Sequence, residues 1–148
     1  MNIGIVCYPT FGGSGVLATE LGKALADEGH QVHFITYQQP VRLSHFHANI
    51  FYHEVRVPTY PLFDYPPYET ALSSMMVDVI TNNDIQLLHV HYAIPHASAA
   101  YTAKQIVKQK TGRSVPAAPG QEKPETVRTR HSPTDRRPVC HAGCPRSW

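Results

Sequence analysis

Two clusters in this chain bring together residue types suited to chemistry. In the first, the apolar run Ile3-Gly4-Ile5-Val6-Cys7 stops at Pro9 and passes through Gly12-Gly13-Ser14-Gly15 into a helix-like pattern. A buried strand, a glycine loop and a helix start in that order place backbone N–H groups where no Cβ blocks approach, which makes an anion site. The implied ligand class is a phosphate or another small anion. A tight strand–helix turn that binds nothing uses the same residues. The second cluster is His89-Val90-His91-Tyr92-Ala93-Ile94-Pro95-His96, at the end of a later apolar run. His89 and His91 have period-2 spacing and share a face, which raises a metal site. No carboxylate or cysteine accompanies them at ligand spacing, so two hydrogen-bonded core histidines are expected. Tyr92 and His96, just past the run, are the candidates for ligand contact.

Alternating strands and helices must position these clusters. Residues 2–8 read as a strand covered on both faces. Residues 15–29 read as a helix, with Leu17, Leu21, Ala24 and Leu25 at apolar spacing and Gly29 closing it. A β-branched and aromatic second strand spans 31–37, and a third covers 49–57. A Pro- and Tyr-rich loop covers 58–67, stiffened by its prolines. Leu72, Met75, Met76 and Val79 mark a helix over 67–82, residues 86–91 a fourth strand, and 95–110 another helix. The expected fold class is therefore α/β: a Rossmann-like, mostly parallel sheet built from βαβ units. Ligands of open α/β sheets bind beyond the carboxyl ends of the strands, so both clusters should open onto one crevice.

The glycine loop lacks the Gly-Lys-Ser/Thr ending of a P-loop. A dinucleotide fold wants an acid at the end of its second strand, where this chain has Thr36-Tyr37-Gln38-Gln39. The net charge of +2 gives no general attraction to nucleic acid or membrane, and no apolar run reaches the roughly 18 residues of a membrane span. No basic segment precedes the first apolar run as in a signal peptide. The three cysteines form no obvious disulfide framework, so a cytoplasmic location is expected.

Composition breaks near Gly112. All eight tyrosines, all five phenylalanines and every Leu and Ile precede it, while residues 113–148 hold six of the 13 prolines and seven of the 13 Lys and Arg. Such a segment buries too little apolar surface to offset its ordering entropy. At 148 residues the chain has room for one folded domain, expected over 1–112, followed by a disordered tail, 113–148. Arg113-Ser114-Val115-Pro116 starts like a fifth strand, which Pro119 and Gly120 then end. Four parallel strands without their continuation would leave an open sheet edge. In the tail, His131, Cys140, His141 and Cys144 form a zinc-like set with spacing too loose to count as a metal site.

Residues 7–36 (CYPTFGGSGVLATELGKALADEGHQVHFIT), 49–69 (NIFYHEVRVPTYPLFDYPPYE) and 87–105 (LLHVHYAIPHASAAYTAKQ) resemble the N-terminal domain of the N-acetyl-α-D-glucosaminyl L-malate synthase family. These are retaining GT4-type glycosyltransferases of the two-Rossmann-domain GT-B fold, acting in bacillithiol biosynthesis. The resemblance covers about residues 2–112. It implies transfer of GlcNAc from UDP-GlcNAc to L-malate, with these small molecules as the partners and no cofactor or metal. It further implies that Gly13, Ser14 and Gly15 approach the diphosphate and acceptor, and that Ser14 and Tyr92 hydrogen-bond the malate carboxylates. His96 joins them as a substrate-side candidate. The family's His-Gly-Thr-Asp motif and its UDP-holding second domain have no counterpart here. The tail is accordingly expected to be frameshifted or to come from a truncated gene, and the chain to be inactive by itself. A different acceptor, or a non-catalytic binding module, remains open from the residues alone. Oligomeric state is not readable from them.

Overall fold

The structure is a computed structural model and describes residues 1–43, 47–58 and 66–119. Its elements are β1 (Asn2–Val6), α1 (Ser14–Asp27), β2 (Gln31–Thr36), β3 (Ile50–Glu54), α2 (Tyr68–Asn82), β4 (Leu87–Val90), α3 (Ser98–Thr111) and β5 (Ala117–Pro119). The five strands form one sheet in the order β3-β2-β1-β4-β5, and every neighbouring pair is parallel. The chain reverses its direction of travel across the sheet at β1, between β2 and β4. That is the switch point at which α/β sheets open a crevice.

Each sheet face has its own core. On one side Ile3, Ile5 and Cys7 of the first strand and its continuation meet Val32 and Phe34 under Ala18 and Ala26 of α1. On the other, Val6, Ile35, Leu88 and Val90 lie under α2 and α3, with Leu72, Met76, Ile80, Ala103 and Val107 facing them. Burial on both faces is why these strands read as continuous apolar runs.

Helix α1 departs from its expected face. Leu17 is 65% exposed, and the buried residues are Gly15, Ala18, Thr19, Gly22 and Ala26. Small side chains let the helix axis approach the sheet. A Cβ on Gly22 would stand 2.3 Å from the Phe34 ring, so the large residues are pushed to the flanks of the contact. The helix ends as expected: Gly29 takes φ +88, its N–H reaches the Ala26 carbonyl, and the His30 N–H reaches that of Leu25. This Schellman arrangement satisfies the last carbonyls.

The ordered fold passes the boundary expected at residue 112. Gly112 caps α3 in the left-handed region. Arg113 then reaches back to the Asp84 carboxylate and the Ile85 carbonyl. Val115 is 2% exposed within the α2–α3 core, and β5 pairs with β4 from Leu88 to Val90. Composition alone missed this, because a short strand laid on an existing sheet borrows its stability from β4 and needs few large residues of its own. Residues 120–148, including His131, Cys140, His141 and Cys144, lie outside the described residues, as does most of the 58–67 loop.

Candidate active site

The glycine loop leaves β1 through Cys7 and Tyr8 and re-enters regular structure at Ser14. Gly13 precedes the helix with φ 60 and ψ −134, a conformation a Cβ would penalise. A Cβ on Gly15 would lie 2.5 Å from the Tyr8 carbonyl oxygen and 2.8 Å from Thr10 Oγ1. The loop is therefore folded back on its own strand, held further by Thr10 Oγ1 donating to the Gly12 carbonyl at 3.1 Å. No side chain caps α1, and its first turn holds no acid, so its N-terminal N–H groups keep their capacity for an anion.

Ser14 adds the most telling atom. Its Oγ is buried and has no hydrogen-bond partner. Thr36 Oγ1, at the carboxyl end of β2, is likewise buried and unpartnered. Buried hydroxyls without partners are uncommon and costly, and two of them at the same sheet edge suit a polar ligand. Thr36 stands where a dinucleotide site would carry an acid. A hydroxyl at that position carries no signal in the sequence, where a carboxylate would.

Beside the loop, three tyrosines and His96 pack around Tyr8. Its ring centroid lies 5.0 Å from that of Tyr92, 4.3 Å from that of His96, 6.3 Å from that of Tyr68 and 6.2 Å from that of Tyr37. These residues come from the ends of β1, β2 and β4 and from the start of α2. Burial raises the Tyr8 hydroxyl pKa, with Tyr37 and Tyr92 adding to the effect. Burial also pushes Tyr68 far above the usual phenol range, with Tyr8 and Tyr37 contributing. Both hydroxyls stay protonated and can donate. Cys7 is pushed up to about 12 by burial, so its thiol is no nucleophile.

The predicted site residues separate into two layers. Gly13 and Ser14 stand at the start of α1 with Gly15 buried behind them, and Tyr92, past the end of β4, is 43% exposed with φ 81. His96 is fully buried beneath them. Its Nδ1 donates to the His91 carbonyl at 2.6 Å and its Nε2 accepts from the Tyr68 hydroxyl at 3.2 Å. Burial lowers its pKa, partly offset by the bond to the His91 carbonyl. His89 Nδ1 and His91 Nε2 stand 3.0 Å apart and share one hydrogen bond. Burial first, then His89 and His96, lowers His91 to about 4, so the pair is neutral at pH 7.

A separate cavity of 690 Å³ lies between β3 and α2, lined in part by Tyr52, Glu54, Arg56 and Asp78. Its mixed charges converge on no single ligand chemistry, and it contains none of the residues above. The carboxyl edge of the sheet at the switch point remains the better candidate, because the uncapped start of α1 and the unpartnered Ser14 and Thr36 hydroxyls all lie on that side of the sheet.

Known proteins fit this geometry. A glycosyltransferase from Rickettsia africae ESF-5 superposes with a TM-score of 0.58 over 80% of this chain and 28% of its own, at 16% identity. The C-terminal domain of a hydrogenase from Pyrococcus furiosus does so with a TM-score of 0.50 over 80% of this chain and 89% of its own, at 17% identity. Two such different proteins on one scaffold show the fold and leave the function to the site. By sequence, the chain is 54% identical over 110 residues to N-acetyl-alpha-D-glucosaminyl L-malate synthase of Bacillus anthracis, covering 74% of this chain and 29% of that protein. The chain thus spans under a third of that relative's length. The sequence pattern of Glycosyltransferase Family 4 matches residues 11–142, through the segment that composition sets apart. The chain belongs to glycosyltransferase family 4.

Proposed function

We propose that this chain forms the acceptor-side half of an enzyme that transfers GlcNAc from UDP-GlcNAc to L-malate with retention of configuration, as in bacillithiol biosynthesis. The substrate names come from the Bacillus anthracis relative and from the resemblance of the two site clusters to that family. One structural observation carries the acceptor role: the buried, unpartnered Ser14 Oγ at the first turn of an uncapped helix. A dicarboxylate placed there takes hydrogen bonds from Ser14 and the first N–H groups of α1, and the helix dipole favours its charge. Tyr92, exposed on the opposite rim, supplies a hydroxyl donor to the second carboxylate. Gly13, with open space where a Cβ would stand, admits the donor's diphosphate, and Gly15 lets the loop pack close enough on Tyr8 to present its N–H groups there.

In this scheme the malate hydroxyl attacks the anomeric carbon from the face that UDP leaves. The domain contributes positioning and charge stabilisation and requires no cofactor or metal. The reaction belongs to the cytoplasm, where nucleotide sugars and reduced thiols occur. Among the described residues, no helix is long and apolar enough to cross a membrane.

L-malate at about ten times its dissociation constant should stabilise the folded chain by about 1.4 kcal/mol, read as a rise in melting temperature. Succinate, which lacks the attacking hydroxyl but keeps both carboxylates, should stabilise it less. Stabilisation by UDP-GlcNAc with none by L-malate would remove the acceptor assignment.

A further inference from the structure

The turn Ala93–Ala97 between β4 and α3 shapes the rim of the site, and its least exposed side chain is His96. A carbonyl oxygen only accepts, so the 2.6 Å contact from His96 Nδ1 to the His91 carbonyl puts a proton on Nδ1. The ring is neutral in this buried place, which leaves Nε2 with a lone pair for the Tyr68 hydroxyl at 3.2 Å. The His91 peptide is held from both ends, because its N–H donates to the Val6 carbonyl at 2.9 Å. The next residue, Tyr92, stands at φ 81, a conformation that a large side chain adopts only under constraint. Its own carbonyl accepts from the Ala97 N–H at 3.2 Å.

We infer that His96 is a positioning residue that, as the Nδ1–H tautomer, clamps the His91 carbonyl and the Tyr68 hydroxyl and thereby holds Tyr92 in its left-handed conformation at the rim. His96 touches no substrate. It acts through Tyr92, and Tyr68 ties the clamp to the first turn of α2, so the β4–α3 turn and the α2 start keep one spacing. The tie to ligand binding rests on the acceptor role proposed above for Tyr92.

The first test needs no variant. Imidazole nitrogen NMR of the full chain should show His96 protonated at Nδ1 and bare at Nε2. The second compares two amides. In His96→Asn the amide N–H falls near the Nδ1 position and keeps the bond to the His91 carbonyl. In His96→Gln the amide falls near Nε2 and loses that bond. His96→Asn should retain the Tyr92 φ, read from backbone couplings, and keep L-malate affinity within about threefold of the unsubstituted chain. His96→Gln should lose the Tyr92 geometry and weaken L-malate on the order of tenfold or more. A proton on Nε2, or an unchanged Tyr92 φ in His96→Gln, would overturn the inference. If the unsubstituted chain binds no L-malate, the proposed acceptor falls, while the tautomer and the Tyr92 φ still decide the clamp.

Discussion

The two walls of the crevice reach their shapes by opposite means. The loop before α1 is made by leaving side chains out: Gly13 takes a backbone conformation closed to others, and Gly15 lets the chain pack against the Tyr8 carbonyl. The turn after β4 is made by putting side chains in. A buried histidine and two tyrosines, drawn from α2 and from the end of β1, hold Tyr92 in a conformation it would not adopt alone. A wall built by omission is broken by adding a methyl group. One built by packing is broken by changing which atom donates.

The largest expected effect is on the first wall. Gly15→Ala should cost roughly 3 kcal/mol in urea unfolding, because the new Cβ meets backbone that cannot rotate away. A cost below about 1 kcal/mol would mean that the loop is held less tightly than the packed turn. Next is acid sensitivity, which should belong to the histidine pairs and not to the glycine loop. His33 is lowered to about 4 by burial and by His53, and His91 to about 4 by burial and its neighbouring histidines. The unfolded chain takes up these protons first, so stability is full above about pH 6.5 and falls as pH drops toward 4. A loss of roughly 2–3 kcal/mol for each of these two histidines across that window should appear in the melting temperature, and His33→Asn should remove about half of it.

Smaller again is Ser14→Ala. Removing a buried hydroxyl with no partner should leave stability unchanged or raise it by up to about 1 kcal/mol, while the thermal shift from L-malate is lost. That split separates binding from packing within one wall. The smallest effect is Leu17→Ser, on the exposed side of α1, within about 0.5 kcal/mol by chemical unfolding. A larger loss there would show that the helix face is covered by something beyond the described residues.

The same contrast explains what could be read in advance. Glycine, Gly29 at a helix end and apolar runs covered on both faces are local signals, so the strand–loop–helix order and the parallel sheet were visible as pattern. Helix α1 misled because leucines at helical spacing mark a buried face only where the neighbouring surface has room for them. Phe34 under Gly22 takes that room. His96 falls among the expected ligand contacts because histidines at a strand end are suggestive. Its burial depends on Tyr68, 28 residues away, and on Tyr8, and no spacing rule joins those positions. Thr36 was invisible for a different reason: a hydroxyl becomes informative only when its partner is missing. β5 was underestimated because its stability resides in β4.

Strand β1 occupies the middle of the sheet, yet one of its two neighbours lies more than 80 residues later. Asn2 donates its side-chain amide to the Asn83 carbonyl and its backbone N–H to Gln86. On the ribosome, residues 1–54 can assemble β1, α1, β2 and β3 while the other edge of β1 stays open. That edge closes only when β4 emerges, and such distant closure is slow relative to local pairing. The first half of the domain thus passes through a nascent stage with a bare central strand. That interval, more than the finished fold, is where a chaperone would find its binding segment.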